Sequence, residues 1–178
     1  MGEFRIGRTF ARHSYPDTPR GASAAFASNF ALGPGSDQAI ATAPGTAVFT
    51  AANGSAVSAG TITADGAPIT PNVTGDVLVE AAVEVRNTTE GQINIFVFAR
   101  INGTTTTTPV AAATLDSEGY ESIPVTLLLP GALALGATAH VNLVVVASSS
   151  GALLTTSGSS PNEAASTMYL REVPLPTG

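Results

Sequence analysis

The chain has 178 residues, 44% of them apolar, and a formal net charge of −6. This length suits one domain with an appendage, and the apolar fraction excludes a wholly disordered chain. Cysteine and lysine are both absent, which excludes disulfides and thiolate metal sites. No apolar run approaches the roughly 20 residues that a spanning helix needs. We therefore expect no membrane span and no export signal.

The N-terminal part differs from the rest in charge and composition. Residues 1–34 carry four arginines against two acids, and residues 35–178 carry three arginines against eleven acids, so the net charge of −6 divides into +2 and −8. Alanine, serine, glycine and proline dominate residues 16–45, without a lasting period. This pattern predicts an extended arm over residues 1–43, followed by a head domain over residues 44–178.

The arm combines arginines with aromatic side chains, which are the residue types that dominate protein–protein hot spots. The predicted partner-binding residues are Phe4, Arg5, Arg8, Phe10, Arg12, Tyr15 and Arg20. Nucleic acid is an alternative partner, but four arginines give little positive charge and the acidic head would repel phosphates. A disordered tail of incidental composition is a second alternative. We favour an arm that docks on protein.

Beyond the arm, short segments rich in valine, isoleucine and threonine alternate with turn clusters, which is typical of an all-β sandwich. The clearest segment is DVLVEAAVEVR, residues 76–86. Its odd positions from Val77 to Val85 are apolar, whereas its even positions include Glu80 and Glu84, so one face is predicted to be buried and one to be wet. About eight or nine such strands predict two antiparallel sheets in a Greek-key or jelly-roll order.

Two of the predicted strands have a second apolar face. Phe96 and Phe98 lie opposite the isoleucine-rich face of GQINIFVFARIN, and Val144 and Val146 lie opposite the core face of TAHVNLVVVAS. A solitary sandwich has no use for such side chains on its surface, so we predict an oligomer that buries one sheet. The alternative is a one-residue error of phase at a β-bulge.

Catalytic motifs are missing from the sequence, and we predict neither an enzyme nor a cofactor. The two histidines are His13, in the arm, and His140, in a predicted strand, where a packed or interfacial role is favoured over catalysis. Asp116, Glu118 and Glu121 could offer oxygens to calcium, but their spacing is not that of a calcium loop. A solvated turn is the favoured interpretation of these acids, and we predict no metal site.

Four stretches carry a resemblance to the jelly-roll heads of tumour-necrosis-factor-like ligands, complement globular heads and the collagen-like glycoprotein of spore surfaces. They are ITPNVTGDVLVEAAVEVRN, INIFVFARING, LALGATAHVNLVVVA and STMYLREV. The resemblance covers roughly residues 44–174. The resemblance implies a homotrimer with aromatic residues of the inner sheet near the three-fold axis. The candidate interface residues are Phe96, Phe98, Val144, Val146 and Tyr169.

A jelly roll of this size with an N-terminal arm also resembles the decoration, or cement, proteins of tailed-phage capsids. The leading hypothesis is therefore a homotrimeric capsid decoration protein, assembled in the host cytoplasm and located on the virion exterior. Its expected partners are the major capsid protein and itself, with neither nucleic acid nor membrane. The alternative is the receptor- or carbohydrate-binding head of a phage head fibre or tail structure.

Overall fold

The computed structural model describes residues 27–32, 37–50, 54–56, 62, 66–69, 75–133, 138–155 and 164–174. These residues form thirteen strands and no helix. The predicted number was lower because six of the strands have only two or three residues. In chain order the strands are β1 (Ala27–Leu32), β2 (Gln38–Ala39), β3 (Thr46–Ala47), β4 (Gly54–Ala56), β5 (Ala67–Ile69), β6 (Gly75–Asn87), β7 (Ile93–Ile101), β8 (Thr104–Thr105), β9 (Ala111–Leu115), β10 (Tyr120–Leu133), β11 (Ala139–Ala147), β12 (Ala152–Leu154) and β13 (Thr167–Pro174).

The strands form two antiparallel sheets. Sheet I has seven strands in the order β2-β12-β6-β13-β1-β4, with β10 also paired to β6. Sheet II has six strands in the order β3-β11-β7-β8, with β5 paired to β11 and β9 paired to β7. Every pairing is antiparallel. The predicted all-β antiparallel sandwich is confirmed.

The core lies between the two sheets and follows the predicted alternation. In β6 the core face consists of valines that are completely buried, namely Val77, Val79, Val83 and Val85. Sheet II contributes Ile95 and Val97 from β7, together with Leu143 from β11. Because side chains alternate across a strand, the even positions of β6 must lie on the outer face of sheet I.

Strand direction defines two ends of the sandwich. β1 begins at the same end as β6, because Ala27 pairs with Arg171 and Pro174 at the close of β13 pairs with Gly75. We call this the β1 end. The opposite, loop end carries residues 88–92, 116–119 and 148–151, which connect β6 to β7, β9 to β10 and β11 to β12. Residues 1–26 therefore join the sandwich at the β1 end.

Two strands of sheet I lie within the segment predicted to be the arm. Residues 27–32 form β1, which lies between β13 and β4 in sheet I, and residues 38–39 form β2 at one edge of that sheet. The sequence ASNFAL of β1 is rich in small and polar residues, so its strand conformation depends on pairing with segments distant in the chain. Residues 27–32 and 38–39 thus contribute strands to the head, and residues 1–26 lie outside the described residues.

A buried asparagine fixes residues 48–50 to β11. Asn142 is completely buried, its Oδ1 accepts hydrogen bonds from the backbone N–H groups of Phe49 (3.0 Å) and Leu143 (2.8 Å), and its Nδ2 donates to the Phe49 carbonyl. The N–H of Val48 adds a bond of 2.9 Å to the Leu143 carbonyl. The asparagine amide thus pairs with both polar backbone groups of Phe49.

Replacing Asn142 by alanine should lower the free energy of unfolding by about 2–4 kcal/mol, because the backbone groups of Phe49 would stay buried without their partners. Urea denaturation of the two proteins measures this difference. Asn94→Ala is the matched control, since Asn94 is exposed on the same sheet and accepts a single side-chain bond from Thr114. A control loss as large as that of Asn142→Ala would contradict the assignment.

Candidate functional site: the outer faces of the two sheets

The outer face of sheet I carries an exposed apolar patch. We define the β6 face as the outward side chains of β6 and its neighbours β10 and β13. Leu128 of β10 is 47% exposed. It pairs with Leu78 of β6, and Leu78 pairs on its other side with Arg171 of β13. The face also includes Glu80, Ala82, Pro124, Thr126, Thr167 and Tyr169.

The β6 face also carries unneutralised charges of both signs. Glu80 and Arg171 are exposed, and Glu80 pairs in register with Tyr169 on β13. Neither charge makes an ion pair with another described residue. An ion pair elsewhere on the sheet joins Arg86 to Asp37 at 2.9 Å, and it fastens Asp37, directly before β2, to β6. The centre of the β6 face therefore offers apolar contact beside one acid and one base.

Toward the loop end, the β6 face closes over a buried carboxylate. Glu84 is only 5% exposed, although the alternation of β6 predicted a wet position, and this prediction was wrong. Its Oε2 accepts a hydrogen bond from the Tyr120 hydroxyl, and its Oε1 accepts one of 2.7 Å from Ser122. Both partners lie on β10, where Ser122 pairs directly with Glu84. Hydroxyl donors of this kind offset the cost of burying a charge.

A second layer of hydrogen bonds holds this cluster in place. The backbone N–H of Glu84 donates to the Ser166 hydroxyl (2.9 Å), and its carbonyl accepts from the Thr155 N–H (3.0 Å). The Tyr120 oxygen also accepts a bond of 3.2 Å from the Ala164 N–H. Burial, and then the hydrogen bond to Glu84, raise the pKa of Tyr120 above its ordinary value of 10.0. The cluster therefore keeps Tyr120 protonated and β10 aligned on β6.

The outer face of sheet II is different, because the chain itself covers part of it. Phe96 pairs with Val146 and Phe98 pairs with Val144, so these side chains lie beside one another. Val144, however, is only 5% exposed. Gly45 has a φ of +115°, and a Cβ placed on it would lie 2.7 Å from Val144 Cγ1 and 3.0 Å from Val146 Cγ2. The backbone at Gly45 thus lies against both valines.

The residues of the predicted trimer interface lie on two different sheets. Four of its five residues, Phe96, Phe98, Val144 and Val146, lie on the outer face of sheet II, whereas Tyr169 lies on sheet I. The two groups face in opposite directions and form no single patch. Sequence alternation located the apolar faces, but it could not show that residues near Gly45 return over β11. The β6 face was missed because Leu128 looked like one isolated residue opposite the core side of β10.

The other residues considered as functional candidates are the acids around residue 116 and His140. The Asp116 carboxylate accepts a bond of 2.8 Å from Gln92, and Glu118 lies in a turn with a φ of 53°. In the described ranges, no group of three or more histidine, aspartate or glutamate side chains is placed to hold a metal ion. His140 is half-buried, and its backbone N–H donates to Asn102 Oδ1 at 2.8 Å. The residues of the arm that were predicted to bind a partner lie outside the described residues.

The loop end is cross-linked by hydrogen bonds to backbone carbonyls. Asn87 is buried, and its Nδ2 donates to the carbonyls of Gly91 (2.6 Å) and Asp116 (2.8 Å). Thr88 donates from its N–H (2.9 Å) and from its hydroxyl (2.8 Å) to the Gly151 carbonyl. Three loops are thereby joined at one end of the sandwich.

Over the same described ranges, no helix is long and apolar enough to cross a membrane.

No known family model and no curated protein sequence matches the chain. Among solved structures, the fold is similar to that of Eiger TNF from S. frugiperda, with a TM-score of 0.51 and 15% identity over 86% of this chain and 98% of that chain. Murine APRIL at pH 5.0 gives a TM-score of 0.46 and 17% identity over 82% of this chain and 99% of that chain. The likeness to Eiger concerns the fold alone, and it shows that the sandwich is a jelly roll similar to that of Eiger TNF.

Replacing Tyr120 by phenylalanine should lower the free energy of unfolding at neutral pH by about 1–3 kcal/mol, because Glu84 would lose a donor in a buried site. Urea denaturation measures the loss. Tyr169→Phe is the control, because the Tyr169 hydroxyl makes no hydrogen bond among the described residues. Equal losses in the two variants would contradict the role assigned to the cluster.

The raised pKa of Tyr120 also predicts that the effect of Tyr120→Phe on stability depends on pH. The folded chain holds the Tyr120 proton more tightly than the unfolded chain, so this contribution to stability is complete below pH 10 and is lost as the pH rises through the raised pKa. The difference in unfolding free energy between wild type and Tyr120→Phe should therefore narrow above about pH 10. A difference that stays constant up to the highest pH at which both proteins fold would refute this.

Proposed function

We propose that this protein is structural: a homotrimeric capsid decoration protein whose jelly-roll head projects from a viral shell and whose N-terminal segment binds the major capsid protein. The observation that carries the proposal is the β6 face. Leu128 is one of two large apolar side chains exposed among the described residues, and it adjoins Leu78 on the neighbouring strand. A second copy of the chain is the simplest cover for such a patch.

The two ends of the sandwich suit attachment to a shell. Residues 1–26 lead into β1 at the β1 end, and the three hydrogen-bonded loops lie at the other end. A segment that grips a capsid from the β1 end would leave the loop end pointing outward. The loop end would then form a rigid cap on the virion surface.

The composition of residues 1–26 supports docking on protein. The segment holds four arginines, which form forked hydrogen bonds with carboxylates and carbonyls, and aromatic residues that fill apolar pockets. A trimer presents three such segments. Binding of the first raises the effective concentration of the other two, so modest affinity per segment gives durable attachment.

Replacing Leu128 by glutamate should convert the trimer to monomers, because a charge would enter the apolar patch on the β6 face. Sedimentation or native mass spectrometry measures the oligomeric state. The matched control is Ala112→Glu, at an exposed position of β9 that pairs with Phe96 on the outer face of sheet II. Loss of the trimer in the control, with Leu128→Glu still trimeric, would move the interface to sheet II.

Removing residues 1–26 should leave a folded trimer that no longer binds shells assembled from the major capsid protein of the same virus. Co-sedimentation with the shells measures binding, and circular dichroism checks the fold. The deletion ends before β1, so sheet I keeps its central strands. Normal binding by the truncated protein would contradict the docking role and favour the alternative of a receptor- or carbohydrate-binding head.

A further inference from the structure

We propose that Glu80 and Arg171 form a closed ring of ion pairs around the three-fold axis, in which Arg171 of each copy binds Glu80 of the next. This inference rests on the proposed homotrimer and names the residues at its centre. The two side chains lie on the same face of sheet I, on adjacent strands, where Arg171 pairs with Leu78 and Glu80 pairs with Tyr169. They are therefore diagonal neighbours in the sheet.

Among the described residues, no charge of opposite sign neutralises either side chain. Both side chains are exposed, and neither has an ion pair with any described residue. The other acid beside Arg171 is Asp76, which is half-buried and already engaged in another interaction. On the far side of Glu80, β10 offers only the uncharged Thr126. One acid and one base thus lie beside the apolar patch of Leu78 and Leu128. A second copy of the chain would offer a base and an acid that complement them.

Symmetry gives the place of this pair in a trimer. Each interface of a cyclic trimer joins different surfaces of the two copies. Two residues that are close neighbours on one face meet their counterparts in other copies only near the axis. There, three acids and three bases alternate around a ring with no net charge. A ring of this kind fixes the orientation of the copies, because like charges would meet in other arrangements.

The first test uses charge reversal in the full-length chain. Glu80→Arg and Arg171→Glu should each weaken trimerisation by tenfold or more, because each variant places six like charges at the axis. The double variant E80R/R171E should recover most of the trimer. Native mass spectrometry over a concentration series measures the dissociation. Glu90→Arg, at an exposed site on the loop end, is the control and should remain trimeric.

The second test separates contacts between chains from contacts within one chain. Glu80→Arg and Arg171→Glu chains are mixed, and one of them carries a mass tag. The mixture can form trimers that contain two copies of one variant and one copy of the other. The charge at the axis of such mixed trimers falls from six to two. Mixed trimers should therefore form at concentrations where neither variant trimerises alone. An ion pair within one chain predicts no rescue by mixing.

The outcomes distinguish this inference from the proposed function. A trimeric wild type, two weakened single variants and rescue by mixing support the ring. Single variants that stay trimeric, or a double variant that recovers while the mixture does not, overturn the ring and leave the homotrimer intact. A wild-type protein that is monomeric at high concentration overturns both. Circular dichroism of each variant shows whether the chain is folded.

Discussion

The register between β6 and its neighbours is the constraint on which sheet I depends. β6 pairs with β10 along one edge and with β13 and β12 along the other. Its side chains alternate, so the valines from Val77 to Val85 fill the core only in this register. A slip of one residue would expose them and bury Glu80. The hydrophobic effect therefore fixes the position of every outward residue on the β6 face.

That outward row changes in character along the strand. Near the β1 end, Leu78 and Glu80 are accessible to solvent. Near the loop end, Glu84 is buried and accepts hydrogen bonds from Tyr120 and Ser122. The difference arises from the facing residues of β10. Hydroxyl groups at the start of β10 satisfy a carboxylate, whereas Thr126 and Leu128 further along leave their neighbours uncovered. The same pair of strands thus builds a closed polar cluster and an open apolar patch.

The core strands could be predicted from the sequence because their signal is local. Alternation in β6, β7 and β11 identified the buried side chains without knowledge of their partners. Three features depended on distant segments and could not be predicted. β1 has weak strand propensity and forms through pairing with β13, Glu84 is buried by residues 36 and 38 positions away, and Val144 is covered by the backbone at Gly45.

A second apolar face on a strand does not by itself identify a partner surface. Phe98 and Val144 pair on sheet II with the same outward orientation that Leu78 and Leu128 have on sheet I. Residues near Gly45 return over Val144, and no described residue covers Leu128 to the same extent. The decisive quantity is thus the exposure that remains after the chain has folded on itself. By that measure Leu128, which is 47% exposed, supports the proposed self-association better than Val144, which is 5% exposed.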